Sequence, residues 1–191
     1  MNIRQLLKKV VEKKLQMLVA IKLARTRPTV IGITGSFGKT TTKEAVYEVL
    51  KTSFRAYRNP KSLNTEIGLL LAVLEQPSGF SSPFKWTKVL AGAFYNAFAG
   101  PKYDFLILEY GADKPNDIKH LVSLVKPDVG IITHIANVHH GDGQFKNLED
   151  VLSEKKKLVT CLNENGIAIL NTDDALLNKI KDEIKAKTLW F

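Results

Sequence analysis

The chain of 191 residues contains a single cysteine, Cys161, so no internal disulfide framework is possible. No stretch approaches the roughly 18 consecutive apolar residues that a membrane-spanning helix needs, and the amino end lacks the pattern of a secretory signal peptide. These absences argue against a disulfide-stapled or membrane-spanning protein. We therefore expect one sizeable domain in a reducing, cytoplasmic compartment.

Acidic residues are scarce at one end of the chain. Residues 1–27 hold eight Lys and Arg residues against one acid, Glu12, and so account for +7 of the formal net charge of +9. Apolar residues recur there at helical spacing, which predicts a basic amphipathic helix. No aromatic residues interleave with the charges, so nucleic acid is not an expected partner. The helix either packs on its own domain or contacts an anionic membrane surface or another protein.

Residues 28–191 alternate between segments typical of strands and of helices. Strands are predicted at residues 29–33, 54–58, 104–109, 129–133, 167–170 and 188–191, and helices at 39–52, 66–74, 84–98, 116–125, 148–162 and 174–184. The strands include continuous apolar runs, which are typical of parallel strands covered on both faces. This order predicts an α/β fold with a doubly wound, mostly parallel sheet of the P-loop NTPase type, whose ligands bind at the carboxyl ends of the strands.

A glycine-rich turn, GITGSFGKTTT at residues 32–42, joins a predicted strand to a predicted helix. This is the layout of a phosphate-binding loop, in which backbone N–H groups at a helix amino end surround phosphate oxygens. The lysine of such a loop offsets the phosphate charge and its hydroxyl residue holds Mg²⁺, roles that fall to Lys39 and Thr40. The candidate ATP-binding residues are Thr34, Gly35, Ser36, Gly38, Lys39, Thr40 and Thr41.

Three other strand ends carry polar residues that would meet this loop at the same edge of the sheet. Glu109 ends one strand and is placed to hold the metal ion from the far side. The histidine-rich segment at residues 133–142 follows another strand and serves either metal or phosphate binding or a structural role in a loop. Asn171 and Asp173 follow a third strand, and they either contact the nucleotide or cap the next helix, a position that suits Asp173.

Five segments occur in the order and spacing of a known family. They are GITGSFGKTTTKE (32–44), SLNTEIGLLLAVL (62–74), LEYGADKPNDIKHLVSLVKPDVGIITHIANVHH (108–140), NLEDVLSEKKKLV (147–159) and GIAILNTDD (166–174). Together they resemble the central, ATP-binding domain of the Mur ligases over residues 29–191. We therefore expect two parts, the basic amphipathic helix at 1–27 and, as the resemblance implies, a Mur ligase-like central domain at 28–191. Because residues 188–191 are apolar and strand-like, we expect that domain to continue beyond them.

The resemblance is strongest to the MurF type, which joins D-alanyl-D-alanine to UDP-N-acetylmuramoyl-tripeptide. It implies ATP and Mg²⁺ as cofactors, and UDP-muramoyl peptide and D-alanyl-D-alanine as substrates. It also implies amide formation through an acyl phosphate, in which positioning and electrostatics supply most of the catalysis. Two other functions stay open: a nucleotide-binding module or truncated relative without ligase activity, and a folate or polymer-end ligase that shares this domain.

The same resemblance implies roles for individual residues. Catalysis falls to Lys39, Glu109, His139 and Lys155, the metal ligands are Thr40, Glu109, His139 and Lys155, and the residues near the substrate are Asn64 and Thr65. Lys155 corresponds to the lysine that is carbamylated in many Mur ligases and then supplies a carboxylate to the metal. Lys156 is the alternative position for this lysine, because the alignment can slip by one residue.

Overall fold

A computed structural model of the chain describes residues 3–59, 63–79, 83–136 and 145–191. Within these ranges the centre of the fold is one sheet of six parallel strands. The strands are β1 (Thr29–Thr34), β2 (Ala56–Arg58), β3 (Phe105–Glu109), β4 (Val129–Ile132), β5 (Ile167–Leu170) and β6 (Lys187–Trp190). They lie side by side in the order β2-β3-β1-β4-β5-β6. The predicted α/β fold with a parallel sheet is confirmed.

The helices lie between the strands along the chain. In the described ranges they are α1 (Ile3–Thr26), α2 (Lys39–Leu50), α3 (Glu66–Val73), α4 (Pro83–Phe98), α5 (Asp117–Leu124), α6 (Leu148–Lys155), α7 (Lys157–Thr160) and α8 (Ala175–Asn178). The helix predicted at 148–162 is divided at Lys156. The helix predicted at 174–184 is wrong beyond residue 178, where a 3-10 helix follows at Lys181–Glu183. Its backbone forms hydrogen bonds between residues three apart, such as the one from the Glu183 N–H to the Ile180 carbonyl, and these give a tighter turn than an α-helix has.

Helices cover both faces of the sheet, because alternate strand residues point to opposite sides. One face carries the apolar cluster of Ile31, Ile33, Ile107 and Ile131. Helix α2 packs on this cluster through Val46, Tyr47 and Leu50. The other face carries the larger core, to which α1, α3, α5 and α7 contribute buried residues. Burial on both sides explains why the strands are continuously apolar in sequence.

The N-terminal helix α1 is part of the larger core and lies against α3 and α4. Its buried apolar residues are Leu15, Leu18 and Val19. Two of its basic residues also face inward, since Lys22 is buried in an ion pair with Glu75 and Arg25 donates hydrogen bonds to the carbonyls of Ala97 and Gly100. The exposed lysines of the described part of α1 are Lys9, Lys13 and Lys14. The helix therefore packs on its own domain.

No helix in residues 3–59, 63–79, 83–136 and 145–191 has both the length and the apolar character needed to cross a membrane.

Candidate nucleotide-binding site

The phosphate-binding loop leaves β1 at the carboxyl edge of the sheet, where β3 and β4 end on either side of it. Gly35 and Gly38 have φ angles of 147° and 79°, a region that L side chains rarely adopt. A β-carbon on Gly35 would lie only 2.0 Å from Oγ1 of Thr133. Gly35 therefore allows the loop to pass close to the end of β4.

Two hydroxyl residues of the loop fix it to the neighbouring strand ends. Thr34 is fully buried, and its Oγ1 donates a 2.8 Å hydrogen bond to the carbonyl of Tyr110. The Ser36 hydroxyl donates to the Ala136 carbonyl at 2.8 Å and accepts from the Ala136 N–H at 2.9 Å. Both side chains were predicted to contact ATP, and the structure places their hydroxyls on backbone groups that shape the loop.

The amino end of α2 has the features of an anion site. Gly38 occupies the N-cap in a left-handed conformation, and no side chain of the described residues caps the helix. The first N–H groups of α2 and the positive end of its dipole are thus directed toward the loop. Thr40 and Thr41 are exposed there. Nζ of Lys39 bends back over the loop and donates to the Gly35 carbonyl at 2.7 Å.

Acidic groups flank Lys39 from the neighbouring strand. Partial burial lowers the pKa of Lys39, and the charges of Glu109 and Asp113 oppose that shift by favouring the ammonium form. Glu109 is itself 1% exposed, and its Oε1 lies 3.0 Å from Nζ of Lys43, one helical turn after Lys39. The structure thus brings Lys39 and Glu109 into one electrostatic neighbourhood.

Lys155 is a buried cation in the same neighbourhood. Its side chain is 1% exposed, and its pKa is lowered to about 8, first by burial and second by the charge of Lys39. The charges of Asp113 and Glu154 act in the opposite direction. The adjacent Lys156 instead bonds to Glu183 at the surface. Of the two lysines that the sequence left open, Lys155 is the one near the phosphate-binding loop.

A cleft of about 430 Å³ lies beside the end of β3. It is lined by Asn64, Thr65, Glu66, Ile67, Gly111, Asp113, Lys114, Asp117 and Leu121. The Thr65 hydroxyl caps α3 by accepting from the Gly68 N–H, and the Asn64 carbonyl accepts from the Gly111 N–H. Both predicted substrate residues therefore line one cleft together with Asp113, whose charge acts on Lys39 of the loop.

The segment that follows β5 caps the next helix with a different residue from the one predicted. The Asn171 side chain donates to the Thr133 carbonyl and accepts from the Asp173 N–H, which forms a tight turn. This turn moves the helix start one residue along, so Asp174 and not Asp173 caps α8, accepting from the Leu176 N–H. Asp173 itself is exposed.

The histidine-rich segment is described only in part. Nδ1 of His134 lies 3.1 Å from Oδ2 of the buried Asp174, which also accepts from the Ile135 N–H at 2.7 Å. His134 thus contacts a carboxylate that ties the end of β4 to the start of α8. The predicted metal ligand His139 lies outside the described residues, as does the rest of 137–144.

Sequence reasoning missed two charged residues of this site, Lys43 and Asp113. Lys43 follows Lys39 by four residues, a spacing that puts both on one face of α2. Asp113 lies four residues beyond Glu109, on the segment that leaves β3. Spacing alone does not distinguish either residue from other charged residues of the chain, and only the fold brings them close to Lys39 and Glu109.

A parallel sheet with this loop between its central strand and a helix defines a P-loop nucleotide-binding domain. A family profile for the Mur ligase middle domain matches residues 33–190. The chain therefore belongs to the Mur ligase family, and the resemblance predicted from its motifs is confirmed.

Relatives of this chain carry the same MurF-type name. The UDP-N-acetylmuramoyl-tripeptide–D-alanyl-D-alanine ligases of Mycobacterium leprae and Bacillus subtilis are 30% and 31% identical to it, over 92% and 85% of this chain. The MurF ligase of Thermotoga maritima, solved in complex with ADP, is 29% identical with a TM-score of 0.72, over 94% of this chain and 36% of that one. The chain spans only 29% and 30% of the two curated relatives.

Proposed function

We propose that this chain is the ATP-binding part of a ligase that adds D-alanyl-D-alanine to a UDP-muramoyl tripeptide in peptidoglycan precursor synthesis. One observation carries the proposal: an anion site at the start of α2, a flanking carboxylate and a buried lysine meet beside a cleft. Amide ligation from ATP needs these groups, because it brings a substrate carboxylate close to a triphosphate of like charge. The names of the relatives supply the substrates.

The residues present fit Mg²⁺ and ATP. Mg²⁺ prefers oxygen ligands, and Glu109 offers a carboxylate at the end of β3 while Thr40 offers an exposed hydroxyl at the start of α2. Lys39 and the N–H groups of α2 would bind the phosphates. When bound, ATP would supply the phosphoryl group that activates the substrate carboxylate, and Mg²⁺ would offset the negative charge of the phosphates.

Lys155 has the properties that carbamylation requires. Only a neutral amine attacks CO₂, and the carbamate forms as the amine loses its proton. With a pKa of about 8, roughly a quarter of the Lys155 amines are neutral at pH 7.5, against about one in a thousand for an ordinary lysine. We propose that carbamylated Lys155 adds a carboxylate to the metal site, together with His139.

The substrates occupy the cleft that Asn64 and Thr65 line. Their backbone groups are already fixed by α3 and by Gly111, so the cleft is shaped before a substrate enters. Asp113 lines the cleft and also acts on the charges of Lys39 and Lys155. The acceptor amine and the phosphate-binding loop would thus meet around Asp113, where positioning favours the reaction.

The test is phosphate release from ATP in the presence of UDP-muramoyl tripeptide and D-alanyl-D-alanine, with each omitted in turn. Release should require both substrates, stop in Lys39→Ala and persist in Lys51→Ala, which removes an exposed lysine from the other end of α2. ATP binding with no release under any of these conditions would indicate a nucleotide-binding module instead. Release with a folate and glutamate, but not with the muramoyl peptide, would indicate a folate-type ligase.

We also propose a peripheral contact between α1 and an anionic membrane. Support comes from the exposed lysines at positions 9, 13 and 14, which lie beside the exposed apolar residues Val10 and Met17. Such a contact would hold a cytoplasmic protein at the membrane surface. Retention on phosphatidylglycerol vesicles, lost at high salt and absent on phosphatidylcholine, is expected. Equal behaviour on the two lipids would contradict it.

A further inference from the structure

Three titratable side chains meet at a second place in the molecule, where α1, α3 and α5 come together. Glu12 lies on α1, Glu66 is the first residue of α3, and His120 lies on α5. One carboxylate oxygen from each glutamate and one ring nitrogen of His120 all lie within 4.8 Å of one another. The phosphate-binding loop contributes nothing to this cluster, so it is a site of its own.

The distances from the His120 nitrogen to the two carboxylate oxygens are close to the edge of a coordination tetrahedron. Nε2 of His120 lies 3.5 Å from Oε1 of Glu66 and 3.9 Å from Oε1 of Glu12. A tetrahedral ion with bonds of 2.0–2.1 Å to nitrogen and oxygen holds its ligand atoms about 3.4 Å apart. The two distances from His120 therefore exceed this edge by about 0.1 Å and 0.5 Å, and the distance between the two carboxylate oxygens exceeds it by at most about 1.4 Å.

The hydrogen bonding of the cluster is also compatible with a metal ligand at His120. The His120 ring is 42% exposed, but its Nε2 atom is shielded from solvent and has no hydrogen-bond partner among the described residues. The two carboxylate oxygens are too far from it for a normal hydrogen bond. Glu12 is oriented by a hydrogen bond of 3.2 Å from the Gln16 side chain, as metal-binding carboxylates commonly are.

We propose that Glu12, Glu66 and His120 bind a divalent transition-metal ion of the zinc class. One imidazole nitrogen and two carboxylate oxygens suit Zn²⁺, whereas Mg²⁺ prefers oxygen ligands only. Three protein ligands leave a fourth position for water, and the exposure of Glu66 gives solvent access to it. The inference rests on these contacts alone and does not depend on the proposed ligase activity.

The ion would link the N-terminal helix to the substrate cleft. Glu66 lines that cleft directly after Asn64 and Thr65, while Glu12 belongs to α1. A bound ion therefore holds α1 against the start of α3, and its binding should protect the N–H groups of both segments from hydrogen exchange.

The test is a zinc titration of the chelator-treated chain by calorimetry in excess Mg²⁺. We expect one equivalent of Zn²⁺ to bind, with increased hydrogen-exchange protection of α1 and α3. Glu12→Gln and His120→Ala should each weaken zinc binding by at least about tenfold. Replacing even a residue that only hydrogen-bonds to a metal ligand commonly lowers metal affinity by that much. Glu149→Gln, which neutralises an exposed glutamate on α6, should bind like the wild type.

Two results would overturn the proposal. One is the absence of zinc binding by the wild-type chain. The other is equal zinc affinity in Glu12→Gln and the wild type, which would place the bound ion on other histidines, since this variant retains all of them. Glutamine has the shape of glutamate, so Glu12→Gln should leave α1 intact. This variant therefore still tests the proposal if His120→Ala fails to fold.

Discussion

Nζ of Lys43 lies 3.0 Å from Oε1 of Glu109, and neither side chain is more than 1% exposed. The same ammonium donates a 3.0 Å hydrogen bond to the Asn59 carbonyl at the end of β2. Lys43, one helical turn after Lys39, therefore fixes the position of the Glu109 carboxylate at the edge of the sheet. The carboxylate that the site needs is positioned by a lysine of the helix that begins at the phosphate-binding loop.

Replacing Lys43 should lower the stability of the fold. Lys43→Met leaves the Glu109 carboxylate buried without its cationic neighbour, and we expect a loss of about 3 kcal/mol in the free energy of unfolding. Lys51→Met, on the exposed end of α2, should change it by less than about 0.5 kcal/mol. Urea denaturation measures both. The double variant Lys43→Met/Glu109→Gln should lose less than the two single losses combined, and strict additivity would show that the pair is not coupled.

The two glycines of the loop should differ in their tolerance of alanine. Gly35→Ala combines a left-handed φ with a clash against Thr133 and should cost about 3 kcal/mol or more. At Gly38 a β-carbon would lie 3.8 Å from its nearest neighbour, so Gly38→Ala should cost only the backbone strain of about 1–2 kcal/mol. Thermal unfolding of both variants gives the comparison. Equal losses would mean that the loop does not pass Thr133 as described.

Local sequence patterns were sufficient for most of the fold. Continuous apolar runs predicted the parallel strands because such runs arise from burial on both faces of a sheet. The phosphate-binding loop was predicted because its glycines, lysine and threonines are adjacent in the chain. The end of the helix predicted at 174–184 could not be predicted correctly, because apolar spacing does not distinguish α-helical from 3-10 turns. The residue that caps this helix could not be predicted either, because it depends on the turn that the Asn171 side chain forms.

Lys155 should destabilise the fold at neutral pH. Its lowered pKa means that the native state holds this proton less tightly than the unfolded state, so stability rises with pH between about 8 and the ordinary lysine value near 10.4. Lys155→Met should therefore raise the free energy of unfolding by about 1–2 kcal/mol at pH 7. The difference in free energy of unfolding between this variant and the wild type should become smaller as the pH rises from 8 toward 10.

Lys156→Met is the matched control, because it removes only a partly exposed contact with Glu183. It should change stability little at any pH. If it stabilises the chain as much as Lys155→Met does, then burial of Lys155 is not the cause. Melting temperatures across pH 6–10 separate the two outcomes.

The attachment of α1 to the core predicts that its apolar residues are structural. Leu15 is fully buried, so Leu15→Ala should lower the free energy of unfolding by about 2–4 kcal/mol. Met17 is 59% exposed on the same helix, and Met17→Ala should cost less than about 0.5 kcal/mol. Similar stabilities for the two variants would mean that α1 is detached from the domain in solution.

The charged residues around the loop were harder to predict than the loop itself. Glu109 and Lys155 could be named because they belong to family motifs, but their burial depends on how β3 and α6 approach α2. Lys43 and Asp113 have ordinary sequence surroundings. Their importance follows only from long-range packing, since each faces Lys39 or Glu109 across an interface between separate elements.

The proposed function depends on binding of the ATP triphosphate by Lys39 and the start of α2. Calorimetric titration of the chain with ATP in the presence of Mg²⁺ measures this binding. We predict one bound nucleotide, and a loss of affinity of about a hundredfold or more in Lys39→Ala. The stability of Lys39→Ala should differ little from that of the wild type, and Lys51→Ala should bind ATP as the wild type does. ATP affinity that survives Lys39→Ala unchanged would contradict the account.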